Sequence, residues 1–343
     1  MKFLKWLFIL ILLAGSAAAF LAYKEYQSFL DTAVEVGADN SIFTVKKGSS
    51  FSKVATQLES QKLVKSAVLF KVLAKIRKQE SKLKTGEYEL PETVKPIELL
   101  DILTSGRSLQ YKQVIIEGKS YKQLVESIKN NPNLKQTLSD EDYASIMEKL
   151  GSEFSKPEGM FFPDTYNFPR NTTDMQFLQR SYDDMQSFIQ KAWENRVPHP
   201  KIKTPYEALI LASIVEKETG HEAERPMIAR VFLNRLERGM MLQTDPTVIY
   251  GMGDKYKGNI RKKDLKSDNP YNTYTRYGLP PTPIATPGRE AINAVMHPPE
   301  GDALYFVAKG DGTSYFSKTY AEHRKAVIKY LLNGNSSRYQ GGK

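Results

Sequence analysis

The chain has 343 residues, 41% of them hydrophobic and 26% charged, a balance that buries a core and excludes disorder as the overall state. At roughly 100 to 200 residues per domain, this length predicts two soluble domains and an additional segment. Cysteine is absent, which excludes disulfide frameworks, zinc ribbons and thiol nucleophiles. The net charge of +10 favours an anionic polymer as partner, whether nucleic acid, acidic lipid or an acidic cell-wall glycan.

Residues 6–23 read WLFILILLAGSAAAFLAY with no charge, close to the roughly 20 apolar residues needed to cross a bilayer as a helix. Lys2 and Lys5 precede this run, and cationic flanks stay cytoplasmic. The expected arrangement is therefore a short cytoplasmic tip (1–5), a single transmembrane anchor (6–23), and everything beyond it outside the cytoplasm, periplasmic or extracytoplasmic. A cleaved signal peptide is the alternative, with residues 6–13 as its apolar region and 15–19 as its small-residue cleavage site. Apolar character resumes at Phe20, Leu21, Ala22 and Tyr23, which favours retention. Either way the domain is exported, which argues against nucleic acid as partner. Residues 24–40 are polar and mixed, and read as a spacer.

An internal resemblance follows. Residues 45–55, VKKGSSFSKVA, align with 115–125, IIEGKSYKQLV. Each copy has a β-rich run, a Gly turn, a Ser that can cap a helix (Ser50 or Ser120), and a helical stripe: Phe51/Val54/Ala55/Leu58 in one, Tyr121/Leu124/Val125/Ile128 in the other. Two β-turn-α units are the economical reading. The pattern resembles the LysM module, a small glycan-binding fold of strand, helix, helix, strand; simple packing units are the alternative. A LysM-like region is accordingly expected over 41–155, its stretch from Tyr111 to Ser155 reading as a Lys-rich helical connection.

The cluster Glu158-Gly159-Met160-Phe161-Phe162-Pro163-Asp164-Thr165-Tyr166 opens the second domain, expected over 156–338. Its aromatic rings can stack on sugars, but so many beside Pro and Gly favour a core plug. A disordered tail is expected at 339–343.

Residues 206–219 contain no Gly or Pro, and Gly220 stands as a stop, so they predict a helix. At 100° per residue, Leu211, Ile214 and Val215 share a side with Glu218, whereas Glu216 points about 160° away, toward the thinner face of Leu209, Ala212 and Ser213. A carboxyl on the bulky apolar side is driven toward its neutral form, as a general acid near neutral pH requires. Glu218 is the candidate acid. The bland alternative is that Glu218 pairs with Arg225 or Arg230.

Downstream, residues 241–247 (MLQTDPT) and 271–275 (YNTYT) concentrate amide, hydroxyl and phenol groups, which suit a glycan cleft better than an anion or metal site. The run 278–288, GLPPTPIATPG, is too rich in Pro for a helix and predicts a long fixed loop walling the cleft. His199, His221, His297 and His323 show no zinc-hydrolase spacing. Walker and Gly-x-Ser-x-Gly motifs are missing too.

Taken together, Ala212–Thr219, the runs at 231–236 and 242–251, Tyr271-Asn272-Thr273-Tyr274, Gly278-Leu279-Pro280-Pro281 and the run at 284–288 closely resemble the endolytic peptidoglycan transglycosylases of the YceG-like (MltG) family. The resemblance covers most of the chain. It implies an α+β fold, with an N-terminal transmembrane helix, a small LysM-like β/α domain and a larger mixed α+β catalytic domain. It also implies an enzyme tethered to the bacterial inner membrane that cuts nascent glycan strands internally, ends their elongation, associates with cell-wall synthases and needs no cofactor or metal. The second glutamate of the Glu-x-Glu pair is the family's catalytic residue and maps onto Glu218. One carboxylate can suffice for such a reaction, whereas hydrolytic glycosidases need two. Gln243, Asp245, Asn272 and Tyr274 are the expected substrate contacts, with Asp245 equally suited to bracing a loop. A muramidase using Asp245 or Glu224 as second carboxylate, and a wall-binding scaffold without lytic activity, are the rival readings.

Overall fold

A computed structural model describes residues 2–339. Residues 340–343, most of the expected tail, lie outside the described residues. The architecture is mixed α+β and divides into two units, one formed by 1–111 with 167–171 and the other by 112–166 with 172–343.

The first unit begins with helix α1 (Lys2–Asp31). Its apolar part, Phe3 through Tyr23, is open to solvent, and it is the one described helix long and apolar enough to cross a bilayer. No spacer interrupts it. The helix continues through the polar residues, and its last turns pack Tyr26, Phe29 and Leu30 against the core, where Phe29 is only 4% exposed. The residues expected as a spacer therefore include a helical end seated in the domain, because Phe29 and Leu30, three and four positions after Tyr26, fall on the same side of the helix.

Beyond it, β1 (Val34–Glu35) pairs antiparallel with β4 (Thr93–Val94). β2 (Ile42–Val45) pairs antiparallel with β3 (Gly86–Glu89), placing Phe43 opposite Tyr88. Between β2 and β3 run α2 (Phe51–Ser60) and α3 (Ala67–Ile76), and α4 (Pro96–Thr104) follows β4. Gly48 makes the expected turn at φ +78°, a region open to glycine at little cost. Ser50 caps α2, its hydroxyl accepting from Lys53 N–H at 3.3 Å, and Phe51, Val54, Ala55 and Leu58 are all buried.

Strands β5 (Tyr111–Val114) and β6 (Thr165–Phe168) carry the chain between units. The second β-turn-α copy consequently belongs to the second unit. This redraws the expected boundary: 112–155 is not a connection at the end of a LysM-like region but folded structure, α5 (Tyr121–Lys129), α6 (Asp140–Ala144) and α7 (Ile146–Lys149). The local signals were the same in both copies, and Ser120 does cap α5 in a capping box with Gln123. Which core each copy joins depends on contacts far away in sequence.

The core of the second unit is helical. α9 (Pro205–Glu218) packs against α8 (Asp174–Glu194), α10 (Arg225–Glu237), α11 (Asp245–Met252) and α13 (Arg289–Met296). The small α12 (Lys262–Lys266) precedes the 271–275 segment. The hairpin of β7 (Tyr305–Ala308) and β8 (Ser314–Ser317), with Phe306 opposite Phe316, is covered by α14 (Tyr320–Tyr330). Met160, Phe161, Phe162 and Tyr166 are buried, so the aromatic cluster is core.

Removing a buried aromatic ring costs about 3 to 5 kcal/mol. Phe29→Ala is expected to destabilise the first unit by that amount, lowering the Tm of its thermal unfolding in detergent, whereas Leu21→Ala, on the exposed stretch of α1, leaves the Tm unchanged.

Candidate active site

Helix α9 is built to hold its last turn still. Thr204 caps its start, accepting from Glu207 N–H at 3.1 Å, while the Glu207 carboxylate accepts from Thr204 N–H in return; Pro205 occupies the first turn, where its missing N–H costs nothing. Residues Ala208 through Val215 are all buried. The helix is thus enclosed on every side, so a division into bulky and thin apolar faces does not separate Glu216 from Glu218.

Partners separate them. Glu216 forms an ion pair with Arg225, Oε1 to Nη2 at 3.2 Å, with side chains 6% and 7% exposed. Its other oxygen accepts the Gly288 N–H at 3.0 Å. Arg230 is taken by the carbonyls of Pro298 and Pro299. Both arginines that could have neutralised Glu218 are therefore engaged elsewhere, and among the described residues no cation lies within 4.0 Å of it. Glu218 instead accepts one hydrogen bond from a neutral group, Thr244 Oγ1 at 2.8 Å. Burial pushes its pKa up, the Thr244 hydroxyl lowers it in part, the negative Asp245 raises it, and Arg235 lowers it. Loss of solvation penalises the charged form of a carboxyl that has no counter-ion.

The segment facing Glu218 is held by buried hydroxyls and backbone. Thr244 N–H donates to Thr273 Oγ1 at 3.1 Å, Thr247 and Thr273 hydroxyls meet at 2.8 Å, and Gln243 N–H reaches the Thr273 carbonyl at 3.1 Å. Gln243 adopts φ +51°, a left-handed conformation uncommon outside glycine, and its side chain is exposed. Asp245, exposed at the start of α11, accepts from the Tyr274 hydroxyl at 2.6 Å. Burial and this hydrogen bond push the Tyr274 pKa up. Arg235, buried in α10, donates to the carbonyls of Leu242 and Leu304 and lies over the Tyr305 ring.

Gln243, Asp245 and Tyr274 thus stand with Glu218 around one locus, but Asn272 does not offer itself to a ligand. It is 0% exposed; its amide N–H groups go to the carbonyls of Asp264, Leu265 and Ser267, and its oxygen accepts Tyr274 N–H. Its sequence neighbourhood of phenols and hydroxyls suggested a sugar contact, and the fold makes it the pin of the loop that presents Tyr274. Glu224, the other carboxylate considered, is bound by Ser314 through N–H and hydroxyl. The Pro-rich loop is fixed, as expected, yet 282–288 is buried rather than lining open space: Ile284 N–H donates to Ser213 Oγ at 2.9 Å and Gly288 to Glu216, so the loop braces α9. A Cβ at Gly288 would lie 2.2 Å from the Glu117 carboxyl, so a larger residue there requires that exposed, flexible side chain to move.

A profile of the YceG-like family matches residues 43–329. The chain belongs to the YceG-like family. It is 32% identical over 308 residues to the endolytic murein transglycosylase of Bacillus subtilis (strain 168), covering 85% of each protein. It is 28% identical over 363 residues to the endolytic murein transglycosylase of Streptococcus pneumoniae serotype 2, covering 94% of this chain and 64% of that longer protein. A crystal structure of a YceG-like protein from Listeria monocytogenes matches 83% of this chain and 97% of its own, with 32% identity and a TM-score of 0.54.

Sequence reading of this YceG-like chain missed a second buried carboxyl. Glu158 is 6% exposed, accepts Tyr121 N–H at 2.9 Å, and is further bonded by Tyr250 and Gly159; burial pushes its pKa up to about 7. The signal was present in the Glu-Gly dipeptide ahead of the aromatic cluster, since Gly159 at φ +76° approaches Pro283 too closely for any Cβ.

Glu218 as a general acid must carry its proton, so activity is expected to hold below its pKa and fall as pH rises through it. Asp245→Asn removes a negative neighbour and moves that alkaline limb to lower pH; Thr244→Val removes a stabilising donor and moves it higher. The pH dependence of kcat/KM checks both. For Glu158, the folded carboxyl keeps a proton that the unfolded chain releases above its ordinary value of 4.5. Stability is therefore full below that value and declines by about 3 kcal/mol as pH rises to about 7. Glu158→Gln removes the decline, read as a flatter Tm against pH.

Proposed function

We propose that the chain is a lytic transglycosylase, membrane-anchored and endolytic, that cleaves the β-1,4 bond between N-acetylmuramic acid and N-acetylglucosamine in nascent peptidoglycan and leaves 1,6-anhydromuramoyl ends. The observation that carries this reading is a shielded carboxyl, Glu218, lacking a counter-ion and held by a neutral hydroxyl, while its neighbour Glu216 is fully paired. Glu218 protonates the glycosidic oxygen as the bond to C1 breaks. The resulting carboxylate takes the proton of the muramoyl C6 hydroxyl, which attacks C1, so the acid is regenerated and no water is consumed. Family membership and the relatives' name support the same chemistry.

In this reading Gln243 and Tyr274 touch the saccharide, Asp245 orients Tyr274 and favours positive charge developing at C1, and Asn272 positions their loop. The strand–helix–helix–strand order of 42–89 supports a LysM-like glycan contact in the first unit. Helix α1 supports single-pass anchoring in the inner membrane with both units outside the cytoplasm, the place where glycan strands are elongated, so that cutting them internally ends elongation alongside the cell-wall synthases.

Asp245 also keeps a muramidase reading open to test, because a second carboxylate near the acid is what hydrolysis uses. Digestion of uncrosslinked glycan strands by the parent and Glu218→Gln proteins, with mass spectrometry of both ends, separates the readings. The parent is expected to give anhydro ends and Glu218→Gln to lose about 10²–10⁴ in rate while still binding sacculi. Products heavier by one water would mean hydrolysis, and a parent without cleavage would mean a scaffold.

A further inference from the structure

Helix α3 is apolar on two sides. Ala67, Phe70, Leu73 and Ala74 face the core of the first unit, while Val68, Val72 and Ile76 stand 62%, 39% and 63% exposed. Residues four apart share a side, so these three make a continuous stripe about 12 Å long. A helix that is apolar all round is ordinarily buried all round; here one side is left uncovered.

Along the sequence the charge beside the stripe has one sign, and the nearest carboxylate, Glu59, accepts the Ala67 N–H at 3.0 Å at the start of α3. Between Glu59 and Glu80 the chain holds Lys62, Lys65, Lys71, Lys75, Arg77 and Lys78 and no carboxylate. Arg77 is paired with Asp101; among the described residues the five lysines have no ion-pair partner. On the helical wheel Lys71 and Lys75 border the stripe along one side, about 60° and 20° from Val68.

Position adds a third observation. Lys65, just ahead of α3, reaches Thr32 Oγ1 with its Nζ at 3.5 Å, and Thr32 directly follows α1. The end of α1 is itself locked into the core by Phe29. Only eight residues of α1, 24–31, about 12 Å of helix, separate the apolar run from that contact, so α3 starts close to where α1 would leave a bilayer.

We infer that this stripe docks on the anionic headgroup surface of the bilayer that α1 spans, with Val68, Val72 and Ile76 entering the headgroup–acyl boundary and Lys71, Lys75 and Lys78 meeting lipid phosphates. The inference rests on the reading of α1 as an anchor. A glycan strand would ask for aromatic faces and hydrogen-bonding side chains, and the stripe offers aliphatic groups alone. Docking would hold the first unit at the membrane surface, a constraint that a single helix does not impose.

The absence of cysteine allows one label per molecule. Full-length protein carrying Val68→Cys, Val72→Cys or Ile76→Cys is spin-labelled in lipid nanodiscs, with Leu12→Cys marking the bilayer and Ser52→Cys, exposed on α2, marking water. In phosphatidylglycerol-containing discs, the three stripe labels are expected to show several-fold greater collision with oxygen relative to an aqueous nickel reagent than the Ser52 label does. Combining Lys71→Gln, Lys75→Gln and Lys78→Gln should lower the docked-to-undocked ratio about a hundredfold, about fivefold per lysine. Stripe labels as water-exposed as Ser52 while Leu12 reads lipid would overturn the docking and leave the anchor standing. A Leu12 label in water would overturn both. Protection that appears only on adding glycan strands would assign the face to glycan and overturn the lipid assignment.

Discussion

Two glutamates two residues apart at the end of one enclosed helix are put in opposite electrostatic situations, and the rest of the second unit is arranged to keep them there. Glu216 is paired with Arg225 and bonded by the Gly288 amide, so its charge is compensated. Glu218 is hydrogen-bonded by a hydroxyl alone, so burial outweighs the lowering by Thr244 and Arg235 and pushes its pKa up. A charge without a direct partner in a low-dielectric site is costly, which favours the neutral form of the Glu218 carboxyl and raises its pKa. The same helix therefore carries one carboxyl group in a buried ion pair and one whose only hydrogen bond is to a neutral hydroxyl, and the position of Arg225 separates the two.

Much of the surrounding polarity serves rigidity. Asn272 spends both amide protons on loop carbonyls, Thr247 and Thr273 bond to each other, and Arg235 ties the Leu242 and Leu304 carbonyls. Buried polar networks of this kind hold irregular backbone in one conformation when every member is satisfied. The left-handed Gln243 and the exposed Asp245–Tyr274 pair are presented by that framework, which explains why polar residues adjacent in sequence divide into those that face solvent and those that brace.

The first unit follows a different logic. Its core takes in the end of the same helix whose exposed apolar stretch is long enough to cross a bilayer, so that stretch and a folded core share one continuous helix. The lysines and aliphatic groups of α3 lie beside that junction.

Local signals in the chain were sufficient for part of this: the uncharged run of 6–23, the Gly-Ser turns before α2 and α5, a helix over 206–219 that ends ahead of Gly220, and the aromatic core plug. Each depends on residues within a few positions of one another, where helix periodicity and capping act. Contacts between distant segments decided the rest. The pairing of Arg225 with Glu216 rather than Glu218, the withdrawal of Asn272, the burial of 282–288 against α9, the assignment of 112–155 to the second unit and the seating of Phe29 all join residues whose separation in the chain carries no periodic trace. A side chain's charge state depends on what surrounds it in three dimensions, and only the folded packing supplies those neighbours.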